Sequence, residues 1–287
     1  MLSAVGEVVG NDDLIQVGVP RDRISFAKKL FLRKGGDKLS YDYKAGKKRV
    51  LEILNDTNEI REVKRIPSSD ALTYNNGYYG WVTSIFVDIR KSTELFAENR
   101  KASTARIIRS FSSEIIEILK AADNLIEIGI RGDCVYGVYS APDSKDLLDL
   151  LRKAFLIETF ILMLNRLLAN KQMKRLKVGI GLSASQDLVV KAGRRRSEYY
   201  GNVWIGRAVT YASKLSDVAN TNAYPKRILM TSRFYNRISD QFKSIKPGFS
   251  AKEFFTECSV PSIGTVYGCN CIESEFRRWV IGGMKDG

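Results

Sequence analysis

Apolar positions recur along the chain in two rhythms, one suited to strands and one to helices. Trp81 to Val87 is rich in β-branched and aromatic residues, as in a strand covered on both faces. It ends on Asp88 and turns sharply through Ile89-Arg90-Lys91-Ser92-Thr93-Glu94-Leu95 into a helix. Ala102 to Ala122 places Ile107, Ile108, Phe111, Ile115, Ile116 and Leu119 on one face, which predicts a long helix with a core-facing stripe. Leu125 to Tyr139 reads as two short strands joined at Arg131-Gly132-Asp133. A helix over 144–170 follows, then a strand from Leu176 to Leu182, where Gly179 and Gly181 allow close backbone approach. Its continuation through Val189 and Val190 to Arg194-Arg195-Arg196, and back along Glu198 to Ile205, predicts a long hairpin. Gly206 then opens a helix to about Ala219, Arg227 to Met230 is a short strand, and Ser232 to Ile238 a helix.

The flanks are less regular. Residues 1–78 form an N-terminal extension expected to pack on the core or on a partner subunit. Within it, Asp22 to Lys34 reads as a basic amphipathic helix, and Lys48 to Asn55 begins another. Turns at Pro67-Ser68-Ser69-Asp70 and Asn75-Asn76-Gly77 lead to the first core strand. Residues 79–240 carry the regular pattern, and 241–287 read as a C-terminal extension, a further small sheet packed on the core.

Composition narrows the chemistry. A hydrophobic content of 44% marks a folded chain, and a net charge of +14 favours polyanionic partners such as triphosphates, nucleic acid or acidic lipid. Most of that excess is explained by a solvated basic surface, and no nucleic-acid recognition motif accompanies it. The chain has no His, which excludes histidine bases, triads and His–Cys zinc sites. Four cysteines without a Cys-x-x-Cys pair read as reduced thiols in a cytoplasmic protein. Glu7, Asp12 and Asp13 argue against a signal peptide, and Glu158, Asn165 and Arg166 interrupt the most apolar helix, so no membrane span is expected.

Catalysis is therefore left to carboxylates, metals, hydroxyls and basic side chains. Asp88 ends a buried strand, and the turn after it leaves backbone N–H groups able to bind phosphate beside a divalent metal. Ser92 or Thr93 is placed to cap the next helix. If the 125–139 hairpin pairs beside the first strand, Asp133 arrives at the same end as Asp88. Two carboxylates from separate strands suit paired Mg²⁺ or Mn²⁺ and a nucleoside triphosphate. Each half also occurs as an ordinary capped junction or hairpin turn; only the pair is specific.

Three segments carry a resemblance: Phe86 to Thr93, the Gly132-Asp133 hairpin, and Trp204-Ile205-Gly206-Arg207-Ala208-Val209-Thr210-Tyr211-Ala212-Ser213-Lys214-Leu215. In this order they resemble the catalytic domain of class III nucleotidyl cyclases, over roughly 79–238. The resemblance implies an α+β, ferredoxin-like core working as a head-to-tail homodimer, with nucleotide sites shared across the interface. It further implies two divalent cations on Asp88 and Asp133, with the Ile89 carbonyl as an extra ligand. Arg90, Lys91, Ser92 and Thr93 are expected to bind substrate. Familiar members place an Asn and an Arg four residues apart on the helix after the Gly; here those places hold Thr210 and Lys214, so spacing survives while the chemistry changes.

The base-reading positions depart further. Gly129 stands where purine cyclases carry a Lys or Glu, and Val203 where they often carry an Asp. With the purine-reading pair absent, the chain looks similar to the pyrimidine cyclases of bacterial Pycsar antiphage defence. That implies UTP or CTP as substrate, cyclic UMP or cyclic CMP as second messenger, and a separate effector that senses it. Gly129 enlarges the pocket, so another side chain is needed to fill it, with Arg90, Tyr199 and Trp204 as candidates. An arginine of Arg194 to Arg196 either reaches phosphate or the partner, or lies in a solvated turn. The alternatives are an adenylate or guanylate cyclase reading its base by other residues, a non-catalytic nucleotide-binding sensor, and a nucleic-acid-binding protein.

Overall fold

The computed structural model describes residues 41–56, 59–96, 101–194, 198–245 and 253–285. The helix expected at 22–34, together with Arg195 and Arg196, lies outside the described residues. The chain divides into two units, residues 1–56 and 57–287. Of the first, the described part is helix α1, Tyr43–Leu54, capped by the Asp42 carboxylate, which accepts from the N–H groups of Lys44 and Ala45 at 3.0 Å.

The second unit is built on a nine-stranded sheet. Its strands are β1 (Glu59–Glu62), β2 (Asn76–Ile89), β3 (Leu125–Arg131), β4 (Cys134–Ser140), β5 (Val178–Gly193), β6 (Tyr200–Ile205), β7 (Ile228–Thr231), β8 (Thr256–Val260) and β9 (Gly264–Cys269). The main order is β3-β4-β2-β5-β7-β9-β8, with β1 pairing β2 and β6 pairing β5. The helices are α2 (Thr93–Phe96), α3 (Lys101–Lys120), α4 (Ser144–Asn170), α5 (Arg207–Val218), α6 (Ser232–Ile245) and α7 (Ser274–Ile281).

β2 is central because both its edges are paired and both its faces are covered. It runs antiparallel to β5 from Gly77↔Val190 to Ile89↔Val178, and to β4 from Val82↔Ser140 to Asp88↔Cys134. Ile85, Val87 and Ile89 face the larger core with Ile107, Phe111 and Ile115 of α3 and Leu150, Ala154 and Ile157 of α4. Val82 belongs to the opposite cluster with Val189 and Ala208, on the side covered by α5. Alternation along β2 assigns Phe86 and Asp88 to that second face.

α5 rests almost directly on strand backbone. A Cβ at Gly181 would lie 2.0 Å from the carbonyl oxygen of Ala212, and one at Gly179 would lie 2.3 Å from that of Ser216. The N-terminus of α5 is anchored from a distance: fully buried Asp187 accepts from the N–H groups of Arg207 at 3.1 Å and Ala208 at 3.0 Å. Gly206 is required there because a Cβ would collide with the Asp187 carboxylate. Asp187→Ala would strand these two donors and leave the helix end unneutralised. A loss of about 2–3 kcal/mol is expected, read as a lowered chemical-denaturation midpoint with an unchanged slope.

The C-terminal segment does not build a separate sheet. β7 pairs in parallel with β5 over only Ile180 to Leu182, and its other edge is completed by β9, with β8 beyond it. The region read as an added sheet is thus an extension of the main one, because an unpaired β7 edge would leave buried backbone groups without partners. Likewise β1 joins the sheet beside the start of β2, from Glu59↔Asn76 to Glu62↔Tyr79.

One buried ion pair makes stability depend on pH. Glu158 on α4 is nearly inaccessible, and burial pushes its carboxyl up to about 7 although Arg227 opposes the shift. Arg227 Nε lies 2.6 Å from Glu158 Oε1, close in distance but poorly aligned as a hydrogen bond. The folded state therefore holds this proton more tightly than the unfolded chain. The resulting stability is fully present below the usual Glu range and is lost as pH rises through about 7. Denaturant unfolding at pH 5 and pH 8 should show Glu158→Gln removing roughly 2 kcal/mol of this pH-dependent loss.

Candidate active site

Asp88 reaches the site because β2 runs straight to the sheet edge before the chain turns. Its register partner is Cys134, and Asp133 immediately precedes that residue in the two-residue turn Gly132-Asp133. Gly132 has φ +63°, which a glycine adopts without strain. The pairing anticipated from sequence thus brings both carboxylates to one end of the sheet. Asp88 is mostly buried, and its carboxyl is pushed up to about 6. Desolvation is the main cause; Arg90 opposes it, while Asp133 and Asp217 add to it.

Arg90 turns out to belong to this acidic end. Its guanidinium donates to the Asp88 carboxylate and to the backbone carbonyl of Asp217 on α5. Its own N–H is bound by the Lys177 carbonyl at 2.8 Å. Lys91 takes a left-handed conformation, φ 55°, and so reverses the chain into the single turn of α2. There Glu94 N–H donates to Lys91 O and Leu95 N–H to Ser92 O. Ile89 buries its side chain in the core, Ser92 is half-buried, and Lys91 and Thr93 are exposed. Cys134, between the two carboxylates in register, has its thiol pushed up to about 12 by burial and by Asp88, so it is no nucleophile.

The donor set suits hard divalent cations. Carboxylate oxygens and backbone carbonyls are their normal ligands, and here two carboxylates converge where one guanidinium opposes the excess negative charge. The described residues hold no group of three or more acidic or thiol side chains that would cage an ion by itself. Phosphate oxygens of a substrate would complete the ligand sphere, the usual arrangement for Mg²⁺ in phosphoryl chemistry.

On α5, Thr210 and Lys214 are both exposed and share one helix face. The buried face is Ala208, Ala212, Leu215 and Ser216. The Thr210 hydroxyl donates back to the Gly206 carbonyl at 3.1 Å, leaving its oxygen lone pairs outward. Lys214 lies one turn before Asp217, whose carbonyl meets Arg90.

At the other end of the same face, the space above Gly129 is already filled. A Cβ at Gly129 would lie 2.3 Å from the Tyr136 ring, which stacks on Phe86 at 4.8 Å and 8°. None of Arg90, Tyr199 and Trp204 fills that space; Tyr136 does, a residue that sequence reasoning treated as an ordinary strand former. Tyr136 also donates to Glu127 Oε1 at 2.9 Å, while Trp204 Nε1 and Asn202 Nδ2 donate to Oε2 at 3.0 and 3.3 Å. Burial and Glu127 push the Tyr136 phenol up to about 12, so it remains a proton donor. Val203 is exposed and alternates with Asn202 and Trp204, so it points away from this cluster.

Residues 75–252 match the adenylate and guanylate cyclase catalytic domain, and the chain belongs to that family. It is 43% identical over 248 residues to a uridylate cyclase from Treponema porcinum, covering 86% of this chain and 84% of that protein. It is 30% identical over 247 residues to a uridylate cyclase from Gulbenkiania mobilis, covering 84% and 96%. The fold is shared with the adenylyl cyclase CyaB from P. aeruginosa, at TM-score 0.55 and 18% identity, covering 69% of this chain and 96% of that one.

Proposed function

We propose that the protein is a uridylate cyclase, converting UTP to 3′,5′-cyclic UMP and pyrophosphate as a cytoplasmic head-to-tail homodimer. The observation that carries the chemistry is the β2–β4 register that sets Asp133 beside Asp88. Uracil is supported by the two uridylate cyclases matched over more than four-fifths of this chain. It is also supported by Gly129, which offers no polar group to a purine edge. CTP is the alternative substrate. By its resemblance to the Pycsar cyclases, the product acts as a second messenger in antiviral defence through a separate effector. No described helix is long and apolar enough to cross a membrane.

Asp88 and Asp133, with the Ile89 carbonyl, would hold two divalent cations. When bound, these cations acidify the ribose 3′-hydroxyl and neutralise charge on the departing pyrophosphate. The protein's own residues supply orientation and charge. The 90–93 turn receives phosphate, Lys214 offers positive charge where the α-phosphate becomes crowded with negative oxygens, and Thr210 orients an oxygen at the same centre. The 3′-hydroxyl gives up its proton to solvent as its oxygen bonds to the α-phosphorus, the bond from that phosphorus to the α,β-bridging oxygen breaks, and pyrophosphate leaves.

The test is product analysis after separate incubation with ATP, GTP, CTP and UTP, with Mg²⁺ or Mn²⁺. Cyclic UMP from UTP is the expected result. A cyclic purine as main product would overturn the substrate, and binding without turnover of any triphosphate would leave a nucleotide sensor.

A further inference from the structure

Glu127 is an unusual group to leave in the middle of a half-buried cluster. Among the described residues its carboxylate contacts only neutral donors: Tyr136, Trp204 and Asn202. It lines an open cavity of about 650 Å³ together with Tyr136, Lys191, Tyr200 and Asn202. Register places it on the same sheet face as Asp88: Glu127 pairs with Val138, Gly129 with Tyr136, and Tyr136 with Phe86. The cavity thus combines aromatic walls with a few converging polar groups, as small-molecule sites do. Three donors hold the carboxylate in one orientation while its remaining lone pairs stay unused, and the Asn202 amide keeps a second N–H beyond the one directed at Glu127.

We infer that Glu127 determines specificity for uracil, accepting the N3–H of the base while the Asn202 amide donates to an adjoining carbonyl, with Tyr136 limiting the pocket to a single ring. The inference rests on the proposed cyclase function and names how its base is chosen. Uracil presents one N–H between two carbonyls. Cytosine has at N3 a lone pair that would face the carboxylate, and it reaches an acceptor only through the exocyclic amine. Lys191, whose ammonium lies 4.6 Å from the centroid of the Tyr200 ring, adds a donor on the same wall. The purine bicycle is excluded because the volume freed at Gly129 is taken by the Tyr136 ring. Glu127 lies four residues of strand before Arg131, roughly 13 Å, and Asp133 sits in the turn beyond it. That span favours its serving a nucleotide whose phosphates lie on the carboxylates of a second copy of this chain.

The test compares wild type, Glu127→Gln and Tyr136→Leu in two readouts. One is kcat/KM for UTP, CTP and ATP; the other is the Kd of α,β-methylene-UTP and α,β-methylene-CTP, which bind without being cyclised. Glu127→Gln keeps the side-chain shape, and it should lower kcat/KM for UTP roughly 10- to 100-fold. CTP should change by less than about threefold, so that the UTP to CTP ratio collapses in both turnover and binding. An unchanged ratio in a variant that melts like wild type would overturn the inference. Should Glu127→Gln fail to fold, Tyr136→Leu decides: at least tenfold more cyclic AMP supports the inference, and unchanged exclusion of ATP overturns it. If the wild type binds the UTP analogue selectively yet makes no cyclic UMP, the cyclase assignment fails while the base-reading assignment stands.

Discussion

Asp133→Ala should lower cyclic-nucleotide formation by about 10³-fold or more while leaving the fold intact. Asp133 sits in a two-residue turn and is only half-buried, so truncation removes no core packing. The hairpin is secured instead by Gly132 and by the β3–β4 pairing from Leu125 to Arg131. What would be lost is one of the two carboxylates proposed to hold the cations, and no group of three or more acidic or thiol side chains among the described residues replaces it. A single remaining carboxylate, already engaged by Arg90, cannot hold two cations against water. The measurement is the initial rate of cyclic product in saturating Mn²⁺, with circular dichroism and the melting temperature as controls. A rate within tenfold of wild type, with fold retained, would remove Asp133 from the metal site.

The central architecture was legible because its signals are local. Trp81 to Val87 is rich in β-branched and aromatic residues and lies in the doubly paired β2; the Ile107, Phe111, Ile115 and Leu119 stripe is the buried face of α3. The Gly132-Asp133 turn could be read because a two-residue hairpin demands positive φ. What escaped notice depends on contacts between distant segments. Asp187 reads as a polar residue inside a strand, and only the fold reveals that it caps a helix twenty residues later. Tyr136 and Glu127 alternate unremarkably with apolar neighbours, and their roles appear only when Gly129, Phe86, Asn202 and Trp204 surround them. Arg90, expected to bind substrate, also spans β2 and α5; two residues of sequence separation from Asp88 cannot reveal the contact with Asp217. The C-terminal hairpin was misassigned to its own sheet for the same reason: the open edge it completes belongs to β7, which is itself attached through β5.

Lys214→Met should lower kcat for cyclisation by about 10²- to 10³-fold, with a smaller change in KM. The lysine is exposed on the outward face of α5, where nothing in the helix's packing needs its charge. Its loss should therefore be felt chiefly where negative charge accumulates, around the α-phosphorus. Lys214→Arg preserves the charge and adds a planar fork suited to phosphate oxygens, so it should retain at least a tenth of the rate. Asp88 is mostly buried at the end of β2 while Lys214 is exposed on α5; in the proposed head-to-tail dimer the lysine would serve the partner's nucleotide. Mixing Asp133→Ala with Lys214→Met chains, each nearly inactive alone, should then rebuild one intact site in every mixed dimer. Random exchange of equal amounts predicts recovery of about a quarter of wild-type activity, since half the dimers are mixed and each carries one good site of two. No recovery, with subunit exchange verified by native mass spectrometry, would place Lys214 and Asp133 in the same chain's site and overturn the shared-site arrangement.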